Sequence, residues 1–428
     1  MAEKGIIRED GTRYAKLVHV SVGNGKTHQS NKVYIMEEQS NGQIKCVYGR
    51  VGGNMATKMY PSSKWNSIYN NKTSSMKGYV DMTEHSVVKE AAKSGLKDIA
   101  EAEVQKLFDD LMDYANKSIG ANYKITQDKV TQKQVDLAQS IIDEMANIAK
   151  SARKKKAVKV DEINERLITL YTTIPRKMKD VRDHLLNEDD FTTEEIKEFI
   201  ANEQSILDTM AGQVLAIAQA DDDEDEQEDG EDQTILEKMG LDVSVETDQK
   251  SRDLVTKLLG KNAGQMVEIY KCINKETQKK FDEHYAKAKN KKRLLLWHGS
   301  RNQNWFNIIQ TGLMIRPSGV VHTGSMFGDG IYFANKAQKS LGYSSLSGSY
   351  WARGNDSKGY LALFDVHLGN QKDIHKHDSS CYNLSQKVLD KGGHDCVFAH
   401  SGADLYNDEI IVYTPEKCTI AYIIEMTN

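Results

Sequence analysis

The residues best suited to chemistry lie in the C-terminal half of the chain, in four short segments. The first contains His298 and Gly299, so an imidazole stands beside a backbone N–H that a ligand can approach closely, because glycine has no Cβ. The other three carry glycines, tyrosines, a lysine, two serines and acids, and they span residues 324–334, 339–343 and 406–409. These four segments form the candidate functional site.

Taken singly, each of these residues has an ordinary structural alternative. His298 could be a hydrogen-bonded core histidine, the tyrosines could be core aromatics, and Glu409 could be an edge carboxylate. Gly328 and Gly330 could be turn residues, and they do not form a dinucleotide-binding fingerprint because no third glycine and helix follow. The site hypothesis therefore depends on the combination and order of the segments.

The length and composition limit how the rest of the chain can position these segments. A chain of 428 residues exceeds what one hydrophobic core usually organises, so two or three domains are expected. Hydrophobic residues make up 39%, yet no apolar run approaches a membrane span and no apolar segment opens the chain. The 5 cysteines are widely spaced without a C-x-x-C pair, which favours a reducing compartment and no zinc finger. We expect neither a membrane protein nor a secreted one.

The net charge of -5 is unevenly distributed along the chain. Residues 1–80 contain twelve basic and five acidic side chains, a balance of +7. Ten acids fall within residues 221–232, a run that repels itself and has nothing apolar to bury. The basic end suits a phosphate-binding surface, with a solvated basic face as the alternative, and the acidic run predicts a linker.

Hydrophobic periodicity divides the chain into three parts. Two β-rich runs, 31–36 and 44–51, are separated by a Ser-Asn-Gly turn and predict a hairpin in a small sheet. Spacing of three to four residues then predicts four helices, the last one opened by a Thr192–Glu195 capping box; they cover residues 96–114, 135–148, 163–174 and 192–214. Beyond the acidic run, short strands mixed with helix 249–259 predict an α+β fold with a largely antiparallel sheet; the strands are 267–273, 294–297, 361–366, 409–413 and 419–424.

In order, the segments read W-H-G-S-R, M-F-G-x-G-I-Y-F-A, K-S-x-x-Y and Y-N-x-E followed by I-V-Y. This series resembles the catalytic domain of the poly(ADP-ribose) polymerases. Tyr48-Gly49-Arg50, preceded by N-K-V-Y, resembles the WGR module with Tyr in place of Trp, and residues 95–218 are similar to the regulatory helical domain of the compact DNA-dependent members. The resemblance implies a multidomain chain: a small antiparallel β WGR-type domain (1–88), an all-α helical bundle (89–220), an acidic linker (221–235) and an α+β ADP-ribosyltransferase catalytic domain (236–428).

The family's reaction explains why such residues are needed. Cleavage of the bond between nicotinamide and ribose in NAD+ develops positive charge on the ribose, which calls for a carboxylate at the sugar, donors for the carboxamide and an aromatic slot. The resemblance implies that the backbone of Gly299 and the hydroxyl of Ser340 bind the carboxamide. It also implies that Tyr343 stacks on the nicotinamide ring while Tyr332 lines the pocket.

The remaining roles concern the two riboses. By resemblance, His298 holds a hydroxyl on the adenosine side and Ser300 belongs to the same NAD+-binding set. Glu409 is expected to hydrogen-bond the 2′-hydroxyl of the nicotinamide ribose, polarise the sugar and orient the acceptor. The family pattern is Tyr-Asn-Glu, and here Asp408 intervenes, so either acid could occupy the catalytic position. The distance to I-V-Y favours Glu409, and strand alternation makes the choice matter. Glu409, His298 and Tyr332 are the predicted catalytic residues.

The expected function is that of a DNA-stimulated NAD+ ADP-ribosyltransferase that transfers and elongates ADP-ribose on proteins, including itself, in the DNA damage response. Tyr48 and Arg50 are the expected contacts to damaged or nicked DNA. NAD+ is a co-substrate, and neither a cofactor nor a metal is expected. The nucleus is the expected location in a eukaryote, and the cytoplasm otherwise. Two alternatives stay open: a mono-ADP-ribosyltransferase and a catalytically inactive DNA-binding scaffold.

Overall fold

The computed structural model describes most of the chain; the described residues are 4–8, 10–22, 29–51, 53–83, 97–123, 130–151, 159–186, 192–221, 233–315, 326–349 and 352–428. They form two compact units. One consists of Met1–Ala91 and Ser118–Val214, the other of Ala92–Lys117 and Leu215–Asn428. The grouping therefore follows packing and not chain order. The four-segment domain division stays a prediction.

The first unit contains an antiparallel sheet with one short helix. Its elements are β1 (Ile6–Ile7), β2 (Arg13–Val22), β3 (Gln29–Glu38), β4 (Gln43–Arg50), β5 (Met55–Pro61), α1 (Trp65–Thr73) and β6 (Val80–Asp81). The first five strands follow in chain order across the sheet, and β6 pairs with β2. Gly42 turns the β3–β4 hairpin with a φ of +74°, which explains the glycine there. Trp65 of α1 is buried under the sheet, where it packs with Leu17 and Met36.

Four longer helices follow; they are α2 (Ala102–Asn122), α3 (Gln132–Ser151), α4 (Val160–Thr173) and α5 (Thr193–Asp221). The predicted capping box starts α5, because the Thr192 N–H donates to Glu195 Oε2 at 2.7 Å and the Glu195 N–H donates back to Thr192 Oγ1 at 3.3 Å. Within the first unit, α4 packs against both α3 and β2. A buried ion pair joins Arg176, after α4, to Glu203 of α5.

The second unit carries the mixed elements of the C-terminal half. They are α6 (Ile235–Lys238), β7 (Leu241–Val245), α7 (Gln249–Leu259), β8 (Met266–Asn274), α8 (Lys275–Lys287), β9 (Arg293–Gly299), α9 (Asn302–Thr311), β10 (Ile331–Phe333), α10 (Ala337–Leu341), β11 (Lys358–His367), β12 (Gln371–Ile374), α11 (Gln386–Lys391), β13 (Cys396–Ala399), β14 (Glu409–Val412) and β15 (Cys418–Thr427). One sheet has the order β7-β8-β15-β11-β9, and the other has the order β10-β14-β13-β12. Only β12 and β13 run parallel among these described strand pairs.

A two-residue bridge joins the two sheets beside the candidate site. The Trp297 N–H donates to the Ala334 carbonyl at 2.8 Å, and the Ala334 N–H donates back to the Trp297 carbonyl at 2.9 Å. The indole of Trp297 is buried in the apolar core, which holds this end of β9 in place. The bridge therefore sets the end of β9 against the end of β10, where two of the chemical motifs lie.

The first half of α2 packs with the second unit. Val104, Leu107 and Phe108 share one apolar core with strands of both sheets. Asp110 of α2 also accepts an ion pair from Lys358 Nζ at 2.8 Å, at the start of β11. Apolar spacing along α2 predicted a helix but not which partner would cover its buried face.

The predicted hairpin and all five C-terminal strands are confirmed, and so is the α+β character of the C-terminal half. Four helices also form as predicted, but the first begins at Ala102 and not at residue 96. Identification of the first sheet as a WGR domain and of the helices as a regulatory domain stays a prediction. Most of the acidic run (222–232) and the first part of the second motif (324–325) lie outside the described residues. In the described helices, none is long and apolar enough to span a membrane.

Candidate active site

His298 lies near the end of β9, inside a ring of aromatic side chains. Trp305, Phe333 and Phe364 make T-shaped contacts with its ring at centroid distances of 6.0–6.3 Å. Its Nδ1 lies 3.1 Å from the carbonyl oxygen of Tyr332. A carbonyl only accepts hydrogen bonds, so Nδ1 carries the proton in this contact, and Nε2 is the ring nitrogen on the opposite side.

Gly299 makes a close backbone contact with the helix that carries Ser340. A Cβ placed on Gly299 would lie 1.9 Å from the Ser340 carbonyl oxygen, so no other residue fits without moving α10. Ser340 itself is buried. The glycine in W-H-G is therefore required for the approach of two segments 41 residues apart, and the pair forms one wall of the site.

Ser300 follows at the start of α9, where its hydroxyl accepts a hydrogen bond from Asn304 Nδ2 at 3.0 Å. Asn304 Oδ1 is buried and has no hydrogen-bond partner in the described part of the chain. The sequence interpretation missed Asn304, which lies in the first turn of α9, because Ser300 precedes that helix and no helical spacing connects the two residues.

Tyr332 fastens the glycine-rich turn that precedes β10. Its hydroxyl donates to the Gly328 carbonyl at 2.8 Å and accepts from the Phe327 N–H at 3.0 Å. Burial raises the pKa of the Tyr332 phenol far above its usual range, so the hydroxyl stays protonated and can donate. Gly328 has a φ of +79°, and a Cβ there would lie 2.2 Å from the Leu384 carbonyl oxygen. The turn therefore needs glycine for both its conformation and its packing.

Glu409 opens β14, the strand between β10 and β13, and its side chain is buried. One carboxylate oxygen, Oε1, is paired with the ammonium of Lys339 on α10. The other, Oε2, is buried and has no hydrogen-bond partner among the described residues. Burial lowers the pKa of Lys339, and the negative charges of Glu409 and Asp408 oppose that shift. An oriented carboxylate with one unsatisfied oxygen can accept a hydrogen bond from a ligand hydroxyl.

Asp408 lies in different surroundings from Glu409, as expected because successive residues of a strand point to opposite faces of the sheet. One of its oxygens accepts from Asn335 Nδ2 at 2.7 Å, and the other accepts from the Ser401 N–H at 2.8 Å. Burial alone would raise the pKa of Asp408, but hydrogen bonds from the Ser401 N–H, the Asn335 amide and the Ser401 hydroxyl, with nearby His400, together lower it. Asp408 is thus held by protein groups on both oxygens, whereas Glu409 Oε2 has no partner among the described residues.

Tyr343 lies just beyond α10, where its N–H donates to the Ser340 carbonyl at 3.0 Å. Burial, and secondarily the charge of Glu409, raises its pKa to about 12. The charge of Glu409 contributes to the raised pKa of both Tyr343 and Tyr332, which is consistent with the three side chains lying near one another. The structure therefore brings together residues from all four predicted segments.

The predicted DNA contacts lie in the first unit. Tyr48 stacks on Tyr34 at a centroid distance of 5.2 Å, and Lys72 Nζ lies 4.1 Å above the Tyr34 ring. Arg50 donates from Nη2 to the Lys179 carbonyl at 2.7 Å. Tyr48 and Arg50 lie two residues apart on β4, and their side chains already have protein partners in this conformation.

Lys339 is the most informative residue that the sequence interpretation left without a role. It belongs to the quoted K-S-x-x-Y motif, so its position was noticed but its pairing with Glu409, 70 residues later, was not. Tyr413 was also missed: its hydroxyl donates to the Phe327 carbonyl and holds the same turn as Tyr332. In the described ranges, no group of three His, Cys, Asp or Glu side chains could hold a metal ion.

Comparison with known proteins identifies the class. A family model for the poly(ADP-ribose) polymerase catalytic domain matches residues 252–428. A putative poly [ADP-ribose] polymerase-like protein, 100L, of Invertebrate iridescent virus 6 is 34% identical over 167 residues, which cover 37% of this chain and 85% of that protein. The uncharacterized protein 101L of the same virus is 30% identical over 201 residues, 47% of this chain and 77% of that protein. Human poly [ADP-ribose] polymerase 2 is 30% identical over 159 residues, 31% of this chain and 26% of the human protein.

The chain therefore belongs to the poly(ADP-ribose) polymerase family. Its C-terminal part is the catalytic domain of an NAD+ ADP-ribosyltransferase, which uses NAD+ as co-substrate, needs no further cofactor and modifies protein acceptors.

Proposed function

We propose that this protein is a DNA-stimulated polymerase, which transfers ADP-ribose to proteins including itself, elongates the chain and releases nicotinamide. One observation carries the catalytic part of the proposal. Glu409 is buried with Oε1 fixed by Lys339 and with Oε2 without a partner among the described residues. A carboxylate held in this way can accept a hydrogen bond from a ribose hydroxyl and oppose the positive charge that develops on the sugar.

In the proposed reaction, the nicotinamide binds against Gly299 and Ser340, which together form the carboxamide wall of the site. The bond between the ribose C1′ and the nicotinamide nitrogen breaks, and its electron pair leaves with neutral nicotinamide. Glu409 Oε2 accepts a hydrogen bond from the 2′-hydroxyl of the nicotinamide ribose. This hydrogen bond raises the electron density of the ribose ring as positive charge develops on it. The acceptor hydroxyl oxygen then bonds to C1′, and its proton passes to the carboxylate of Glu409, which acts as the base before releasing the proton to solvent.

Tyrosine and histidine side chains have binding roles in this scheme. Tyr343 and Tyr332 remain neutral because their pKa values are raised, so they offer flat apolar surfaces without added charge. His298, with its proton directed to the Tyr332 carbonyl, presents Nε2 to a hydroxyl of the adenosine ribose. Ser300 and Asn304 lie next along the chain and extend the polar surface on that side.

The test of the catalytic assignment is Glu409→Gln, compared with Asp408→Asn as the matched control. Glu409→Gln removes the charge and keeps the shape, so kcat for polymer formation should fall by at least about 10²-fold. Binding of nicotinamide should change by less than about twofold, because the carboxamide wall is intact. Wild-type polymer yield in Glu409→Gln, with an inactive Asp408→Asn, would reverse the assignment. Gel analysis of wild-type protein with labelled NAD+ separates polymer from a single ADP-ribose product.

The DNA part of the proposal is supported by charge and by connections within the first unit. Residues 1–80 carry a balance of +7, and Tyr48 and Arg50 lie together on β4. Arg50 donates to the Lys179 carbonyl at 2.7 Å, in the segment that begins with the buried Arg176. A ligand that engages Arg50 would therefore compete for a contact that ties β4 to the segment after α4. DNA bound at Arg50 would therefore weaken the contact between β4 and the segment after α4 and shift the conformational equilibrium of the helices. We propose that this shift makes catalysis DNA-dependent.

Binding of nicked duplex DNA at several salt concentrations tests this part. The logarithm of the affinity should fall linearly with that of the salt, by about 0.9 for each phosphate neutralised. Arg50→Gln should reduce this slope and the stimulation of catalysis by DNA, whereas Lys387→Gln, at an exposed position of α11, should not. Salt-independent binding would count against the proposal. A role in the DNA damage response, and a nuclear location in a eukaryote or a cytoplasmic one otherwise, follow as part of the same proposal.

A further inference from the structure

Asp408 lies where the chain enters β14, one of the two inner strands of the four-stranded sheet. Ala399 of β13 pairs with Glu409 of β14, and Phe333 of β10 pairs with the next residue, Ile410. Asp408 therefore precedes the first paired residue of β14, at the point where both neighbouring strands end. The sheet ladder itself supplies no further pairing that would hold the chain at this position.

The carboxylate of Asp408 joins the two segments that leave these neighbours. Asn335, two residues after β10, donates from Nδ2 to one oxygen at 2.7 Å. Ser401, two residues after β13, donates from its backbone N–H to the other oxygen at 2.8 Å. A single side chain thus bridges both sides of the strand entry. Two hydrogen bonds to an ionised acceptor are among the stronger polar contacts available in a protein.

We propose that Asp408 is a positioning residue, which fixes the orientation of Glu409 by joining the ends of β10 and β13 across the start of β14. The inference rests on the proposed role of Glu409. Asp408 is the residue by which this chain departs from the Tyr-Asn-Glu pattern. An extra residue at a strand entry lengthens the connection, and the two hydrogen bonds remove the freedom that the added length introduces. The Lys339 ion pair fixes the Glu409 carboxylate from the side of α10, and Asp408 fixes its backbone from the sheet.

The test compares three substitutions by steady-state nicotinamide release from NAD+, by nicotinamide binding and by thermal unfolding. Asp408→Ala removes both hydrogen bonds, and a misplacement of Glu409 by about 1 Å should lower kcat by about 10- to 100-fold. Nicotinamide binding should stay within about twofold, because the carboxamide wall is untouched. Asp408→Asn can accept from the Ser401 N–H and donate to a flipped Asn335 amide, so it should keep kcat within about threefold of wild type. Asp404→Ala is the matched control, since Asp404 lies in the same loop but accepts from the His377 N–H at 2.7 Å, a hydrogen bond that joins neither Asn335 nor Ser401 to the start of β14.

Asn335→Ala provides a second approach if Asp408→Ala proves too unstable to measure. It removes one of the two hydrogen bonds, so kcat should fall by about fivefold, and adding Asp408→Ala should lower kcat no further than Asp408→Ala alone. Wild-type kcat in a folded Asp408→Ala protein, or in Asn335→Ala, would overturn the proposal. Loss of activity in Asp408→Asn equal to that in Asp408→Ala would also overturn it, because the charge and not the bridge would then matter. Full activity of Glu409→Gln would instead refute the proposed function, so the two failures are distinguishable.

Discussion

Gly299→Ala is the perturbation whose effect follows most directly from the coordinates. The added Cβ would lie 1.9 Å from the Ser340 carbonyl oxygen and 2.7 Å from its carbonyl carbon. Ordinary contacts of this type begin at 3.4 Å, so the two backbones must separate by about 1.5 Å. The obstacle is backbone and not a flexible side-chain end, which means that α10 must move as a whole.

A displacement of α10 changes stability and catalysis together. Overpacking of this kind costs about 1–3 kcal/mol of unfolding free energy, and a loss of about 2 kcal/mol lowers Tm by about 4–8 °C in a unit of this size. Ser340 and Lys339 both move with α10, so the carboxamide wall and the ion pair to Glu409 are altered at once. We expect kcat/KM for nicotinamide release to fall by about 10²-fold.

The assay is steady-state release of nicotinamide from NAD+, with thermal unfolding measured on the same preparations. Gly264→Ala is the matched control, because nothing lies within 4 Å of a Cβ at that position and its φ is not positive. The control should leave kcat/KM and Tm unchanged. Gly299→Ala with wild-type kcat/KM would refute the reasoning, since it would show that α10 yields without cost to the site.

Two further predictions concern the same site. Tyr332→Phe leaves the Phe327 N–H and the Gly328 carbonyl without their hydrogen-bond partner, so the unfolding free energy should fall by about 1–3 kcal/mol. KM for NAD+ should rise, because the same turn borders the site. Thermal unfolding and initial rates test these effects, and an unchanged Tm would contradict the prediction. Because the pKa of Lys339 is lowered, its ammonium loses its proton at a pH below the usual lysine range, and the ion pair with Glu409 is then lost. We therefore expect kcat to fall as pH rises toward that range. Lys339→Arg should abolish this decline, because arginine stays charged. The stability contribution of Lys339 runs the other way, because a depressed folded pKa makes the protein more stable as pH rises toward the unfolded value. A wild-type rate that stays constant throughout the alkaline range would show that catalysis does not need the ion pair between Lys339 and Glu409. Tyr343 cannot explain such a decline, because burial raises its pKa to about 12.

The sequence by itself determined the secondary-structure elements of this protein and the types of residue available for chemistry at its site. Local periodicity indicated the hairpin, the helices and the strands, because side-chain burial on a helix or strand is a property of neighbouring residues. The distance from Glu409 to I-V-Y indicated which acid opens β14, since strand pairing preserves register. The order of four motifs indicated the family before any coordinates.

Only the tertiary structure decided how distant residues meet. It paired Lys339 with Glu409 across 70 residues and brought the backbone of Gly299 against Ser340. It also showed that both oxygens of Asp408 bind protein groups, while Glu409 keeps one oxygen without a partner in the described chain. These contacts arise where the ends of two sheets and a short helix converge. No local pattern records them, because each depends on how separate layers pack and not on the spacing of residues along one element.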